Sequence, residues 1–208
     1  MRRFAFTLLE LVFVIIIIGI LAVLAMPNFR GNPLQTAAEQ VAGHIRYTQH
    51  LAMMDDKYDF TDATWWQKRW QIRFPHTTIN GVVVYYYEVF RDENKAGNSS
   101  LNEEAVDPLT HETIGDGVTA VASIPDKSLV NLTKRYGITT VTGTCVIGGA
   151  YPTIAFDNLG RPYLDVYTGN FANPVPAAGC TFILTHPTDG TATITVQAET
   201  GYISVTYP

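Results

Sequence analysis

The sequence predicts an α+β protein in which a long apolar N-terminal helix crosses a membrane and continues as an amphipathic helix packed on an antiparallel β-sheet domain. Three observations carry this reading. Residues 6–26, FTLLELVFVIIIIGILAVLAM, form an almost unbroken apolar run. From Leu34 the apolar residues recur at helical spacing, and beyond Asp56 the period shortens to two, with β-prone runs separated by Gly, Pro, Asn and Asp. At 208 residues and a formal net charge of −5, the chain suits one membrane segment plus one modest domain. The expected division is a basic leader at 1–5, the membrane helix at 6–26, its continuation at 27–54 and a β-rich globular domain at 55–208.

Twenty residues of helix span roughly 30 Å, the hydrocarbon thickness of a bilayer. The β-branched cluster at 14–18 is a mediocre helix former in water, but in lipid only a helix satisfies every backbone group of one segment. Arg2 and Arg3 precede the run and no basic residue follows before Arg30, which keeps the N-terminus cytoplasmic and sends the remainder outward. Glu10 is the anomaly. An ionised carboxylate inside such a span costs at least ~2.5–3.5 kcal/mol, and no Lys, Arg or His lies within the run. A new α-amine on a neighbouring copy, made by a cut just upstream, would supply its counter-charge. A cleavable secretory signal has a shorter apolar core and no such acid, although Val23-Leu24-Ala25 offers a small-x-small site. An uncleaved signal anchor fits the length and leaves Glu10 unexplained.

RRFA followed by FTLLELVFVI resembles the type IV prepilin and pseudopilin signature: a short basic leader, a small residue, then Phe, with Glu fifth in the processed chain. The resemblance implies a pilin-like fold and a cut by a prepilin peptidase between Ala5 and Phe6. It also implies N-methylation of Phe6 and a role for Glu10 in filament assembly. The residue before the cut is usually Gly in that family and is Ala5 here.

Pro27 ends or kinks the first helical section, because it cannot donate to the carbonyl of Val23. Gly31-Asn32-Pro33 is a second weak point, yet Asn32 can cap a fresh helix, Pro33 suits its first position and Gln35 the capping box. One bent helix is expected through residue 54. Leu34, Ala38, Val41, Ile45 and Ala52 mark its buried face. His44 and His50, six residues apart, do not share a face as metal ligands three or four apart would.

After Asp55-Asp56, residues 65–74 alternate as one strand with an apolar face (Trp66, Trp70, Ile72, Phe74) and a wet face (Arg69, Gln71, Arg73). Asn80-Gly81 predicts a positive-φ turn, and the β-prone run at 82–90 should pair antiparallel with the first strand. Trp65, Trp66 and Trp70 read as core or subunit contacts, with a sugar- or base-stacking platform as the functional alternative. Residues 91–104, RDENKAGNSSLNEE, read as an exposed, solvated loop, and 105–134 shows no clear pattern. Short strands are expected within 138–147, 153–156, 163–167, 181–184, 191–196 and 202–206.

TIAFDNLGRP at 153–162 and ITVQAETGYISV at 194–205 are similar to the apolar-x-Phe-x-x-x-Gly segment and closing hairpin of the GspH/FimT group of pseudopilins and minor pilins. Asp157 and Asn158 offer too few oxygens for a calcium ion, so a plain turn is expected there. Cys145 and Cys180, the two cysteines, either pair as a disulfide in an oxidising compartment or stay as buried thiols.

Residues 55–208 hold 10 Lys+Arg against 17 Asp+Glu, a balance of −7, which argues against a nucleic-acid partner. No nucleophile elbow, phosphate loop, metal-binding helix or acid pair stands out, so neither an enzyme nor a cofactor is expected. The resemblance implies a structural subunit at the bacterial inner membrane, with a periplasmic domain, that leaves the bilayer to join a filament. Its partners would be prepilin peptidase, other pseudopilins or pilins, and an inner-membrane assembly platform. A minor pseudopilin of a type II secretion pseudopilus is the first expectation. A minor pilin of a type IV pilus, which could take part in DNA uptake, and a membrane-tethered ligand-binding domain are the alternatives.

Overall fold

The computed structural model describes residues 7–25, 31–115, 129–146, 151–164 and 173–208. They fall into two compact units, Met1–Asn32 and Pro33–Pro208. In the first, helix α1 runs Leu8–Ala25. Thr7 caps it, its Oγ1 accepting the Glu10 N–H at 3.3 Å. Thr-x-x-Glu is the sequence form of a capping box, and an acid in the first turn complements the helix dipole.

Helix α1 is 18 residues long, or ~27 Å, against the roughly 20 residues and ~30 Å of a typical span. Among the described residues no helix is long and apolar enough to cross a membrane. The transmembrane segment expected at 6–26 is therefore corrected. With it go the single-pass inner-membrane location, the cytoplasmic N-terminus and periplasmic domain, and the pilin-like α+β plan built on one long apolar helix. Gly31 and Asn32 are not helical, so the bent helix expected through residue 54 is two separate helices. Glycine is a poor helix former, and Pro33 disfavours the α conformation at Asn32. Ala5, Phe6 and Pro27, the expected cut, methylation and kink positions, lie outside the described residues.

The second unit is mostly β. Helix α2, Pro33–Met54, starts with proline at its first position, where the missing N–H is not needed. It buries Leu34, Ala37, Ala38, Val41, Ala42, Ile45, Thr48 and Ala52 along one stripe, whose alanines permit a close approach to the sheets. Among the described residues ten strands follow: β1 (Trp70–Arg73), β2 (His76–Ile79), β3 (Val82–Tyr85), β4 (Glu88–Arg91), β5 (Thr140–Gly143), β6 (Thr153–Phe156), β7 (Pro162–Tyr163), β8 (Cys180–His186), β9 (Gly190–Val196) and β10 (Ile203–Thr206). They form sheets of order β4-β1-β6-β7 and β10-β9-β8-β5 and the hairpin β2-β3. Every pairing is antiparallel. Helix α2 packs on both larger sheets, and the core between them includes Ile72, Phe74, Tyr87, Phe156, Phe182 and Ile194. The Phe74 and Phe182 rings lie 4.7 Å apart between centroids. A short helix α3, Leu132–Tyr136, is capped by Asn131 and ended by Gly137 at φ 71°.

Cys145, after β5, is disulfide-bonded to Cys180 at the start of β8. The bond closes a 35-residue separation beside the β5–β8 ladder. Asn80 (φ 50°) and Gly81 (φ 79°) make the expected positive-φ turn between β2 and β3. The pairing expected across that turn is present, interrupted once: β2 pairs β3, and β1 pairs β4.

Two expectations in this region are corrected. Residues 65–74 are not one strand, because Trp65–Lys68 is a 3-10 turn and the strand is confined to β1. Nor is the face carrying Arg69 and Gln71 wet, since both residues are buried. Both faces of β1 are covered, since Trp70, Gln71 and Ile72 are buried in succession and Arg73 is half-buried. The Arg69 guanidinium lies 4.2 Å from the Tyr163 ring centroid and 5.1 Å from that of Trp65. Residues 91–104 are a solvated loop only in part: Glu93, Asn94, Ala96, Leu101 and Asn102 are exposed, while Asp92, Ser99, Glu103 and Glu104 are buried. Their carboxylates serve as acceptors for the segment's own donors. Asp92 takes the N–H groups of Ala96 (3.0 Å) and Gly97 (2.7 Å), and Glu103 takes the Asn94 N–H (3.1 Å) and the Ser100 hydroxyl (2.6 Å).

Candidate functional site

Helix α1 is apolar around its whole circumference. Its large apolar residues from Leu8 to Leu21 are exposed by amounts from 39 % for Val14 to 81 % for Leu8. A water-facing helix ordinarily shows one apolar stripe, and a helix apolar on every side is ordinarily buried in something. Glu10 is the sole acid of its first turn, and no base balances it in the last. The structure places Glu10 within the capping turn of Thr7. The bond is to the backbone N–H of Glu10, so the Thr7-Leu8-Leu9-Glu10 spacing marks the start of the helix.

The two C-terminal segments singled out by sequence meet at the end of α2, joined by Gln49, a residue that sequence reasoning missed. Its Nε2 donates to Gly160 O (2.8 Å) and to Thr200 O (3.0 Å), one carbonyl from each segment. Gly160 and Gly201 both have positive φ, and a Cβ on Gly201 would lie 2.5 Å from Gln49 Nε2 and 2.7 Å from Gly160 O. These glycines are required by conformation and by contact. Asp157, buried at the base of the turn, accepts the N–H groups of Leu159 (3.0 Å) and Arg161 (2.8 Å). It also accepts Arg161 Nε (2.7 Å) and the Tyr163 hydroxyl (3.2 Å). With four donors on two oxygens, the carboxylate is committed to the turn. Pairing with Asp157 raises the Arg161 pKa, and burial followed by the same carboxylate raises that of Tyr163. Leu159 stands at the tip of this turn and is exposed, as are Met53 and Met54 at the end of α2. Among the described residues no group of three or more His, Cys, Asp or Glu is placed to hold a metal ion.

Trp65 and Trp66 meet edge-on, and all three tryptophans are engaged with neighbouring residues. Trp70 is buried and its Nε1 donates to Asp55 Oδ2 at 3.0 Å. Burial pushes the Asp55 carboxyl up, but hydrogen bonds from Lys57 and Trp70 outweigh it and hold the group below its ordinary value. Trp65 meets Tyr58 edge-on at 5.2 Å and Trp66 at 6.4 Å, with Arg69 over its ring. Asp62 holds Lys95 at 2.5 Å and Lys68 at 3.1 Å. The bond from Lys95 is the largest of the interactions that depress its pKa.

His44 and His50 are not brought together. His50 is exposed, whereas His44 contacts Tyr87 and Asp107. No family model matches the chain, and no curated protein or solved structure matches it either.

Proposed function

We propose that this chain is a structural subunit of a helical filament, a GspH/FimT-like minor pseudopilin that supports protein secretion through a type II secretion pseudopilus. In this reading a prepilin peptidase cuts between Ala5 and Phe6 and the new amine of Phe6 is methylated. The α1 helices of successive subunits pack together as the filament core, the mostly β unit forms its surface, and the other subunits and the assembly platform are the partners. The chain catalyses nothing and carries no cofactor.

The observation that carries the proposal is an apolar helix exposed on all sides, with a lone acid in its first turn. Burial of each such side chain against a neighbouring copy is worth about 1.5–3 kcal/mol when complete. A rod of this composition therefore associates with its like. The prepilin-type residues Arg2, Arg3, Ala5, Phe6 and Glu10 add the processing step. The acidic balance of residues 55–208 favours a secretion filament over one that takes up DNA.

The Thr7 cap makes a sharp test possible. In cells supplying the peptidase and companion subunits, Glu10→Ala removes the charge and keeps the backbone N–H that Thr7 caps, whereas Thr7→Ala removes the cap and keeps the charge. The proposal expects both variants to be cut, Thr7→Ala to enter filaments and Glu10→Ala to be left out. Entry of Glu10→Ala at the wild-type level overturns the charge pairing.

A further inference from the structure

We infer that copies of this chain stack end to end through the Pro33–Pro208 unit. The apolar, acid-rimmed surface at the end of α2 in one copy receives the apolar, basic end that the β2–β3 hairpin and α3 form in the next. The inference rests on the filament reading for the repetition of the contact, and deepens it by naming the surfaces through which successive units meet.

The first surface is built where α2 stops. Met53 and Met54 on its last turn are 48 % and 74 % exposed, Tyr58 and Phe60 just beyond are 64 % and 85 % exposed, and Leu159 is 67 % exposed. The turn that carries Leu159 is held to this end of the helix, since Asn158 Nδ2 donates to Asp56 Oδ2 at 3.1 Å and Gln49 Nε2 donates to Gly160 O at 2.8 Å. A continuous apolar patch with a polar rim marks a contact surface, and methionine and aromatic side chains are the ones enriched in such contacts. The rim is left negative. The bases that reach the surface here are already committed, Lys57 and Arg91 to Asp55 and Glu93, Lys68 and Lys95 to Asp62, and Arg161 to Asp157. Asp56 is exposed, and among the described residues neither Asp56 nor Asp59 has an ion pair of its own.

The second surface lies toward the other end of α2. The Tyr136 hydroxyl of α3 donates to Gln40, and residues 40 and 54 stand about 21 Å apart along the helix axis. Helix α3 supports the hairpin: it packs on β3, and Thr133 Oγ1 accepts the Tyr85 N–H at 2.9 Å. Among the described strands β2 and β3 pair only with each other, and a two-stranded ribbon is marginal by itself. Val82 and Val83, consecutive and therefore on opposite faces of the ribbon, are 50 % and 43 % exposed. Lys134 and Arg135 are exposed on α3. Residues 75–87 and 129–146, which build this end, contain no Asp or Glu, so these segments carry positive charge alone.

The two surfaces are alike in being apolar and opposite in charge. A two-fold dimer through the first would bring Asp56 and Asp59 against their own copies, and one through the second would do the same with Lys134 and Arg135. Like charges disfavour both arrangements, whereas contact between unlike ends is favoured. Burial of Val82 and Val83 against Met54 and Phe60 supplies the attraction, and the charges supply the direction. A contact between unlike ends leaves one surface of each kind open after every addition, so it continues into an array instead of closing on a pair.

Thiol-specific cross-linking of the full chain tests the contact, because the native cysteines are joined to each other and leave introduced thiols as the reactive ones. With a short bismaleimide, Met54→Cys and Val82→Cys in one chain should give a ladder of multimers. Either variant alone should stay monomeric, and a mixture of the two single variants should stop at the dimer. Reversing the basic end by Lys134→Glu with Arg135→Glu should lower the yield several-fold, and adding Asp56→Lys with Asp59→Lys to the same chain should restore it. If the reversed chains do not fold, raised salt on the two-cysteine chain with its own charges replaces them, with a several-fold fall in yield expected. Absence of a ladder, dimers from one single variant alone, or a yield indifferent to charge reversal, or to salt where salt replaces it, overturns the proposal. Cutting ahead of Phe6 and filament entry of the Glu10 variant are read on the other unit, so a chain that fails those tests can still form the ladder, and one that passes them can fail to form it.

Discussion

Helices α1 and α2 are similar in length, and their sequences ask for opposite environments. Helix α2 alternates a buried stripe, Leu34 to Ala52, with exposed Gln35, Glu39, Arg46 and His50, and its own chain supplies both sheets beneath it. Helix α1 has no polar face, and its side chains are exposed throughout their described length. The contrast teaches where each helix draws its stability: α2 from intramolecular packing, α1 from whatever surrounds it, which in the proposed reading is other copies of α1.

The largest expected effect sharpens that contrast. Ile45→Ala, at a fully buried position, should lower the stability of the Pro33–Pro208 unit by about 2–5 kcal/mol in denaturant titration. Ile16→Ala on α1 should leave the same transition within about 0.5 kcal/mol while reducing entry into filaments. Equal effects on the transition would erase the distinction between the helices. Replacing both Cys145 and Cys180 by Ser should cost about 2–4 kcal/mol, since the bond closes a loop within the unit that α2 covers. Helix α1 should keep its hydrogen-exchange pattern in that variant.

Gly201→Ala should cost about 1–3 kcal/mol through its positive φ and its contacts with Gln49 and Gly160. The loss should show first as faster exchange where the 157–161 turn meets α2. The smallest effect belongs to Thr7→Ala, expected to weaken the first turn of α1 by about 1 kcal/mol and to raise its exchange without moving the main transition.

What could be read from the sequence followed from local signals that tertiary contacts reinforce. Asn80-Gly81 demanded positive φ and received it. The runs at 181–184 and 191–196 lie within the antiparallel pair β8 and β9, and the helical spacing after Leu34 matches the buried stripe of α2. Composition misled where polar residues are used internally. Residues 91–104 looked solvated because acids and serines usually are, yet Asp92 and Glu103 are consumed by the segment's own N–H groups. Arg69 and Gln71 looked wet because alternation within one segment cannot reveal what covers its second face. Gln49 gave no local signal, since its role exists only once residues 160 and 200 have been brought to it. The bent helix was expected to run on through Gly31-Asn32-Pro33, where the capping signals instead mark a fresh start, since Gly31 and Asn32 are not helical.

The central claim is that α1 becomes the packing element of a filament after the chain is cut ahead of Phe6. Intact-mass analysis of the subunit recovered from assembled filaments tests it most directly. The account predicts a mass lower by residues 1–5 and higher by one methyl group, with Phe6 as the first residue. Filament-borne subunits that retain Met1 would contradict it.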